Sequence, residues 1–317
     1  WDHKKLAKYK IINKNNFNIY PRSEFNKIKL LKLVTSLEPD ITIVSGWMDR
    51  TYLYIARYLK NKNSKIVCGI DNHWKPSIKN NILRIIFKLN IHKFYFSHFW
   101  IAGNRQYHYV KKLGIKEDQI IYELYSADTK HFEYIFKNTI QYKKNNYPHK
   151  FIYIGRLSKE KGLFTLIEAW KSIKNQRKDW KLTLIGNGTL KKEFENLDNI
   201  QIKDFIQPDL LMNELKNAGC FILPSTKEPW GVVVHEFSAA GLPMIISDAV
   251  GAKSTFLIND FNGYDFKSGD SDSLRDKMLK IINSSDIDLY KMGINSNSIS
   301  KRISSVSSAH QILSVLN

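Results

Sequence analysis

Two glutamates, Glu228 and Glu236, flank a predicted helix start in the stretch Lys227–Pro243, "KEPWGVVVHEFSAAGLP". A strand-like run delivers the chain to a Pro-Trp-Gly turn, and the apolar run that follows predicts a buried helix beginning near Gly231 or Val232. Free backbone amides at a helix start, together with the positive end of the helix dipole, form a site for an anion. Gly231 has no side chain, so a ligand can approach the backbone closely there.

The two carboxylates lie at different positions relative to this anion site. Glu228 precedes the helix and faces the crevice, whereas Glu236 lies one to two turns inside it. A carboxylate in the largely apolar run "VVVHEFSAAG" is costly without a partner, and a vicinal diol such as ribose would donate two hydrogen bonds to it. The pattern therefore favours a sugar nucleotide as ligand. The alternative is a surface helix with one glutamate near its start and another on a solvated face.

A second cluster, "GRLSKEKG" (Gly155–Gly162), follows the strand-like run "FIYI". Arg156 can hold a diphosphate with its fork of donors, and Lys161 can reach it as a point charge. Gly155 permits a tight turn, and Gly162 permits close packing at a helix start. The signal is weaker than a P-loop, because neither a P-loop nor a G-x-G-x-x-G motif occurs in the chain. Alone, the two cations are more typical of an ordinary surface than of a ligand site.

The elements that must position these residues alternate between buried strands and helices. In the first half, a helical pattern over Glu24–Leu37 is followed by strand-like runs at Ile41–Gly46, Lys65–Ile70 and Phe99–Gly103. A polar link over Lys137–Lys150 precedes a second alternation of the same kind. We therefore predict an α/β protein with two doubly wound domains facing a cleft, with ligands at the carboxyl ends of the strands.

Composition narrows the class of protein. The 317 residues are 43% hydrophobic and 25% charged, which is typical of a globular chain. No uninterrupted apolar run reaches the roughly 18 residues of a membrane span. Cys68 and Cys220 lie in strand-like runs and are predicted to be buried, reduced thiols, which favours the cytoplasm.

The charge is concentrated in the first half. Residues 1–150 carry 28 Lys and Arg against 11 Asp and Glu, whereas residues 151–317 carry 21 against 19. This asymmetry predicts an anionic partner: a phospholipid surface, a nucleic acid or a phosphorylated substrate. The segment Ile78–Trp100 mixes cations with aliphatic and aromatic residues, which favours an amphipathic helix in a bilayer interface. The alternative is a core-facing helix running into a strand.

Four motifs in order resemble the donor-binding half of a family 4 glycosyltransferase: "FIYIGRLSKEKGLFTLIEAW", "LTLIGNGTLKKEF", "FILPSTKEPWGVVVHEFSAAGLPMIISDAVGAKS" and "NDFNGYDF". The resemblance covers residues 150–270, and "EPDITIVSG", "DNHW" and "YSADTKHF" look like acceptor-side segments of the same family. It implies a GT-B fold of two Rossmann-like domains facing a cleft. The implied domains are 1–148 on the acceptor side and 149–298 on the nucleotide-sugar donor side. Residues 299–317 would form a helix that packs back toward the first domain.

The resemblance also implies roles for individual residues. Arg156 and Lys161 match the pair that neutralises the donor diphosphate, and Glu236 matches the glutamate that holds the ribose hydroxyls. Glu228 lies near the transferred sugar, and His73 in "IDNHW" matches an active-site histidine at a strand end. The donor-binding set is Gly155, Arg156, Lys161, Glu228, Trp230, Gly231, Val232, Val233 and Glu236, with the turn Trp230–Val233 making backbone contacts.

Some features depart from the family pattern. "GNGTL" lacks the small proline-containing turn, and "EFSAAG" stands where the family often has "EAMACG". Nothing before "SEFNKIKLL" supplies the family's opening strand and glycine-rich loop. We expect that an N-terminal segment is missing and that the donor half is complete.

The resemblance implies a retaining transfer without a bound metal, so we expect a glycosyltransferase of the hexosyl type without a cofactor. It would move a sugar from a nucleotide-sugar donor to a hydroxyl of a lipid-linked or membrane-associated glycan, in cell-surface polysaccharide or glycan biosynthesis. The predicted location is cytoplasmic, peripheral at the inner face of the membrane, on an anionic surface contacted by the basic half. One alternative is a catalytically degenerate nucleotide-sugar-binding partner subunit. Another is a nucleic-acid binder, although no nucleic-acid module is visible and we predict no such partner.

Overall fold

The computed structural model of the chain describes residues 22–194, 197 and 199–316. The first 21 residues of the predicted first domain and the last residue of the predicted C-terminal helix therefore lie outside the described residues. The run "LKKEFENL" (190–197) predicts a helix, and part of this run lies outside the described residues as well.

Among the described residues, a four-stranded parallel sheet organises the first domain, in the order β1-β2-β3-β4. Its strands are β1 Ile41–Ser45, β2 Lys65–Ile70, β3 His98–Ile101 and β4 Ile120–Ile121. The helices are α1 Lys27–Leu37, α2 Arg50–Lys60, α3 Ile78–Lys88 and α4 Asn104–Leu113. Asp49 caps α2 and Ser77 caps α3 through side-chain oxygens that accept backbone N–H bonds, which explains where these two helices begin.

A six-stranded parallel sheet organises the second domain, in the order β10-β9-β8-β5-β6-β7. Its strands are β5 Lys150–Ile154, β6 Lys181–Ile185, β7 Ile200–Lys203, β8 Cys220–Leu223, β9 Met244–Ser247 and β10 Gly263–Phe266. The helices after β5 are α6 Leu163–Ser172, α7 Lys191–Phe194, α8 Met212–Lys216, α9 Val232–Ala239, α10 Lys253–Phe256, α11 Ser271–Asn283, α12 Asp286–Ser300 and α13 Ser305–Leu313. Every residue of β8 and β9 is buried, as expected for central strands covered on both faces.

The predicted polar link over Lys137–Lys150 is wrong for most of its length. Helix α5, Thr129–Asn145, runs through it and packs against the helices of the second domain. Phe132, Ile135 and Thr139 are buried at helical spacing on one side of α5. The stripe is narrow and interrupted by polar residues, so the composition of the segment concealed the helix.

The segment Ile78–Trp100 is not one long helix. Helix α3 ends at Lys88, a 3₁₀ turn occupies Ile91–Phe94, and β3 begins at His98. Phe87 is buried in the core of the first domain, so the alternative of a core-facing helix running into a strand describes the backbone correctly. None of the helices in the described part of the chain combines the length and apolar character needed to cross a bilayer.

Within the described residues, the chain passes between the two domains twice. It leaves the first domain over residues 122–128, and after α12 it returns over residues 301–304. Helix α13 then packs on the first domain, where the Ser308 hydroxyl donates to the Glu123 carbonyl at 2.6 Å. Val315 is buried against Val67 and Ile121 of the first sheet.

Candidate active site

The predicted donor residues lie where the strand order of the second sheet reverses. Strands β5 and β8 are neighbours at its centre, with β6 and β7 added on one side and β9 and β10 on the other. In an open parallel sheet, a crevice forms outside the carboxyl ends of the strands at such a switch point. Arg156 and Lys161 follow β5, and Glu228 follows β8, so the topology brings both clusters to this crevice.

Lys161 and Glu228 form an ion pair across the two loops. Their side chains are 21% and 14% exposed, and the Ser225 hydroxyl also donates to the Glu228 carboxylate, at 3.3 Å. Gly162, with φ +67°, brings the loops together, because a Cβ there would lie 1.9 Å from the Pro224 carbonyl oxygen. The pair is therefore held in place by the backbone on both sides.

Arg156 keeps its guanidinium largely in solvent. The side chain is 71% exposed, and its only ion pair with a described residue joins Nη1 to Glu160 Oε1 at 3.7 Å. Its backbone is fixed, since its carbonyl accepts a 2.7 Å hydrogen bond from the Tyr153 hydroxyl. The close approach of Tyr153 also explains Gly155, where a Cβ would lie 2.8 Å from the Tyr153 oxygen. Arg156 is thus anchored at its backbone and able to fold its head over a ligand.

Helix α9 begins at Val232, as predicted, with Gly231 at the N-cap in a left-handed conformation. No side chain of the described residues caps its first amides, so they remain available for an anion. Val232 and Val233 are half-buried at this helix start. The Trp230 ring makes a contact between the domains instead, because it is buried against Gly103 of the first domain, where a Cβ would lie 2.5 Å from it.

Glu236 lies in the second turn of α9, with its side chain mostly withdrawn from solvent. Its carboxylate makes no hydrogen bond or ion pair with any residue that the structure describes. Burial, and secondarily the charge of Asp128, raise the pKa of Glu236 to about 7. Such a group is costly to ionise until hydrogen-bond donors reach it.

His73 lies across the cleft, beyond the carboxyl end of β2. It lines a cavity of about 1210 Å³ that extends from the ends of β1 and β2 to Lys227 and Pro229 of the second domain. Burial lowers the pKa of His73, and the nearby charges of Lys75, Arg105 and Lys227 lower it further. His73 is therefore neutral at physiological pH and faces the turn that carries Glu228.

The N-terminus of α4 makes contacts between the domains that the sequence does not predict. The Arg105 guanidinium donates to the Ala249 carbonyl at 2.6 Å and also to that of Asp248. The buried Gln106 amide donates to the Asp71 carbonyl at 2.6 Å and to the Pro229 carbonyl at 3.2 Å. These bonds hold the Glu228–Gly231 turn against the first domain. No signal in the sequence indicates them, because they depend on how the domains meet.

His235, the neighbour of Glu236, was also missed. It is fully buried, stacks on Phe256, accepts a 3.1 Å hydrogen bond from the Ala127 N–H at Nδ1, and contacts the Ser300 carbonyl through Nε2 at 2.9 Å. Nε2 must therefore carry the proton. A signal existed: a histidine inside an apolar run needs buried partners.

Cys68 and Cys220 are buried free thiols, as predicted. Among the residues that the structure describes, no group of three or more His, Cys, Asp or Glu side chains is arranged to hold a metal ion.

Comparison with known proteins finds a family profile that lies mainly on the second domain. The family profile described as "Glycosyl transferases group 1" matches residues 135–297. The capsular polysaccharide biosynthesis glycosyltransferase CapM of Staphylococcus aureus is 29% identical over 140 residues, which cover 41% of this chain and 36% of CapM. An uncharacterized glycosyltransferase of Methanocaldococcus jannaschii is 31% identical over 119 residues, which cover 35% of this chain and 30% of that protein. The chain thus spans about a third of the length of these two curated relatives.

Solved structures match nearly the whole chain. Anabaena HepE, solved in complex with UDP, superimposes with a TM-score of 0.72 at 17% identity and covers 92% of this chain and 81% of its own. A glycosyltransferase from Rickettsia africae gives a TM-score of 0.71 at 15% identity, covering 95% and 83%. At such low identity the likeness shows the fold alone, and it confirms the predicted GT-B fold of two Rossmann-like domains. With a profile match over half of its length, the chain belongs to the group 1 glycosyl transferases.

Proposed function

We propose that this chain is a retaining glycosyltransferase that moves a hexose-type sugar from a nucleotide-sugar donor to a hydroxyl of a lipid-linked or membrane-associated glycan. The observation that carries the proposal is Glu236, a mostly buried carboxylate without a protein partner among the described residues, beside a phosphate-type helix start. Ribose hydroxyls would satisfy it. HepE has been solved with UDP and with UDP-glucose, which supports a donor of this class.

The reaction would break the bond between the anomeric carbon and the donor diphosphate while the acceptor oxygen bonds to the same carbon. The departing diphosphate takes the electron pair, and the proton of the acceptor hydroxyl passes to a phosphate oxygen. Arg156, Lys161 and the first amides of α9 would stabilise the charge that grows on this leaving group. Preorganised charges of this kind contribute the largest share of many enzymatic rate enhancements.

The sugar would lie between the two domains. Glu228, oriented by Lys161 and Ser225, would bind its hydroxyls from the second domain. His73, neutral because its pKa is lowered, would bind it from the first domain. The turn Trp230–Val233 would contact sugar and phosphate through backbone amides.

The acceptor would enter through the cavity of the first domain. Lys75, Lys79 and Lys227 line it, and Asp71 is its only acidic lining residue among those that the structure describes. This balance suits an acceptor that carries phosphate, as a lipid-linked saccharide does. We place the protein in the cytoplasm, peripheral at the inner face of the membrane, where its basic half would meet anionic lipid. We also expect the transfer to need no metal ion.

The test is calorimetric titration of a panel of nucleotide sugars into the full chain and into Glu236→Ala, with Glu168→Ala as a control on an exposed helix position. We expect one nucleotide sugar to bind selectively, at least tenfold more weakly to Glu236→Ala and unchanged to the control. The same sugar should be transferred to a lipid-linked acceptor in the presence of EDTA, with retained anomeric configuration by NMR.

Binding without any turnover on acceptors would instead identify a degenerate partner subunit. Equal binding to both variants would remove Glu236 from the donor site. Turnover abolished by EDTA and restored by a divalent cation would overturn metal independence.

A further inference from the structure

Helix α3 has two apolar faces. Its inner face packs on the core of the first domain through Leu83, Ile86 and Phe87. Its outer face carries four aliphatic side chains in solvent, with exposed fractions of 81% for Ile78, 52% for Ile82, 58% for Ile85 and 66% for Leu89. The spacing of four, three and four residues places them on one line along the helix. We call these four residues the α3 stripe.

The exposed apolar surface continues past the end of the helix. Phe94, in the 3₁₀ turn packed beside α3, is 61% exposed, and the Arg57 guanidinium lies 5.9 Å from its ring centroid. A row of exposed aliphatic side chains marks an interaction site, unlike the single exposed aliphatic residues of most surfaces.

Only basic residues surround the α3 stripe in sequence. Between Asp71 and Glu117 the chain has nine Lys and Arg and no acidic residue. At 100° per residue, Lys79 lies on one flank of the stripe and Lys88 on the other, with Arg84 further round. Long cationic side chains in such positions can reach upward past an apolar stripe to phosphate groups.

We propose that the α3 stripe inserts into the interface of an anionic lipid bilayer, with Lys79, Arg84 and Lys88 bound to lipid phosphates. The proposal names the surface for the membrane attachment put forward above, and it rests on that function for its purpose. A second copy of the chain is a poor occupant, because pairing two such faces would bring like charges together. A nucleic acid would leave the four aliphatic side chains in water.

Docking through α3 would also orient the acceptor cavity. Lys79, Asn80 and Leu83, on the same helix, line that cavity. The cavity would therefore open beside the lipid headgroups. A saccharide on a lipid carrier would reach His73 while its lipid stays in the membrane.

The experiment is cosedimentation of the full chain with vesicles of phosphatidylglycerol and phosphatidylcholine, and with pure phosphatidylcholine. The variants are Ile82→Asn with Ile85→Asn, and Arg84→Gln with Lys88→Gln. The matched controls lie on the second domain: Leu210→Asn with Ile287→Asn, at 69% and 62% exposure, and Lys171→Gln with Lys174→Gln. Circular dichroism checks that each variant is folded.

We expect wild type to bind the anionic vesicles only. The apolar variant should partition at least tenfold more weakly, and the charge variant about fivefold more weakly per cation removed. Both controls should stay within about twofold of wild type.

Equal partition of an α3 variant and its control would overturn the proposal. So would a wild-type dimer in sedimentation equilibrium that the apolar α3 variant dissociates, or loss of DNA binding without loss of vesicle binding. Nucleotide-sugar affinity, measured without vesicles, should be the same for the α3 variants and wild type. Failure of every chain to bind a nucleotide sugar would reject the proposed function and leave the vesicle result standing.

Discussion

Among single residues, the two donor-side glutamates are under opposite constraints. Glu228 is ion-paired with Lys161, so its carboxylate has a protein partner before any ligand binds. Burial, and secondarily the charge of Asp128, disfavour the ionised form of Glu236 and raise its pKa to about 7. Glu228 is thus paired within the protein, whereas the carboxylate of Glu236 would gain hydrogen-bond donors only from a ligand.

This difference predicts that donor affinity depends on pH through Glu236. A deprotonated carboxylate accepts both hydrogen bonds from a ribose diol, so binding should lower the pKa of Glu236 and release a proton. Affinity for the nucleotide sugar should rise about tenfold from pH 6 to pH 8. Calorimetry in buffers of different ionisation enthalpy measures both the affinity and the proton release.

Glu236→Gln is the matched control for this prediction, since it keeps the shape and removes the titration. It should bind the donor more weakly than wild type at pH 8 and show no dependence on pH. Constant wild-type affinity without proton release would show that Glu236 does not contact the ribose. The nucleotide sugar is the right probe, because a free nucleotide has a terminal phosphate that titrates in the same range.

At the scale of elements, the loops after β5 and β8 work as one unit through Gly162. Its φ of +67° and the 1.9 Å approach of a Cβ to the Pro224 oxygen leave no room for a side chain. Since the neighbouring atom is backbone, no rotamer change relieves the overlap.

Gly162→Ala should therefore cost about 2–4 kcal/mol of unfolding free energy, part from the left-handed backbone and part from the overlap. Gly114→Ala separates the two contributions, because Gly114 has φ +90° with nothing within 4 Å of a Cβ. It should cost about 1 kcal/mol. Urea denaturation of both variants measures the difference, and equal losses would show that the two loops are not locked by Gly162.

The sequence predicts elements well where they are buried on both faces. The runs that form β5, β6, β8 and β9 are continuous and apolar, so their position and the helix start at Val232 follow from composition. The sequence did not predict helix α5, because its buried stripe is interrupted by Lys and Asn. The interdomain hydrogen bonds of Arg105 and Gln106 were not predicted for a different reason. They join residues more than a hundred positions apart, and no local pattern encodes such a pairing.

At the scale of the whole molecule, His235 joins the two crossings between the domains. Ala127 belongs to the outgoing crossing, and Ser300 immediately precedes the returning one. Both bonds need the neutral ring. Burial lowers the pKa of His235, so the unfolded chain takes up this proton more readily than the folded one. The stability that His235 contributes is therefore present at neutral pH and lost as the pH falls below about 6.5.

His235→Phe should preserve the stacking on Phe256 and leave the Ala127 N–H and the Ser300 carbonyl buried without a partner. We expect a loss of about 2–4 kcal/mol at pH 7.5 and a smaller loss at pH 5.5, where the wild type has already weakened. His108→Gln, at an exposed position of α4, is the control and should change little at either pH. Urea denaturation at both values provides the measurement, and an identical loss at the two pH values would contradict the titration of His235.

The paired crossings constrain how the cleft can open. A single linker would allow the domains to rotate relative to each other about several axes. Two neighbouring crossings, at residues 122–128 and 301–304, would instead form a hinge with a defined axis. The remaining freedom is rotation about the line that joins them. Opening and closing would then follow one path, and each closure would return His73 to the same position in the cavity that Lys227 and Pro229 also line.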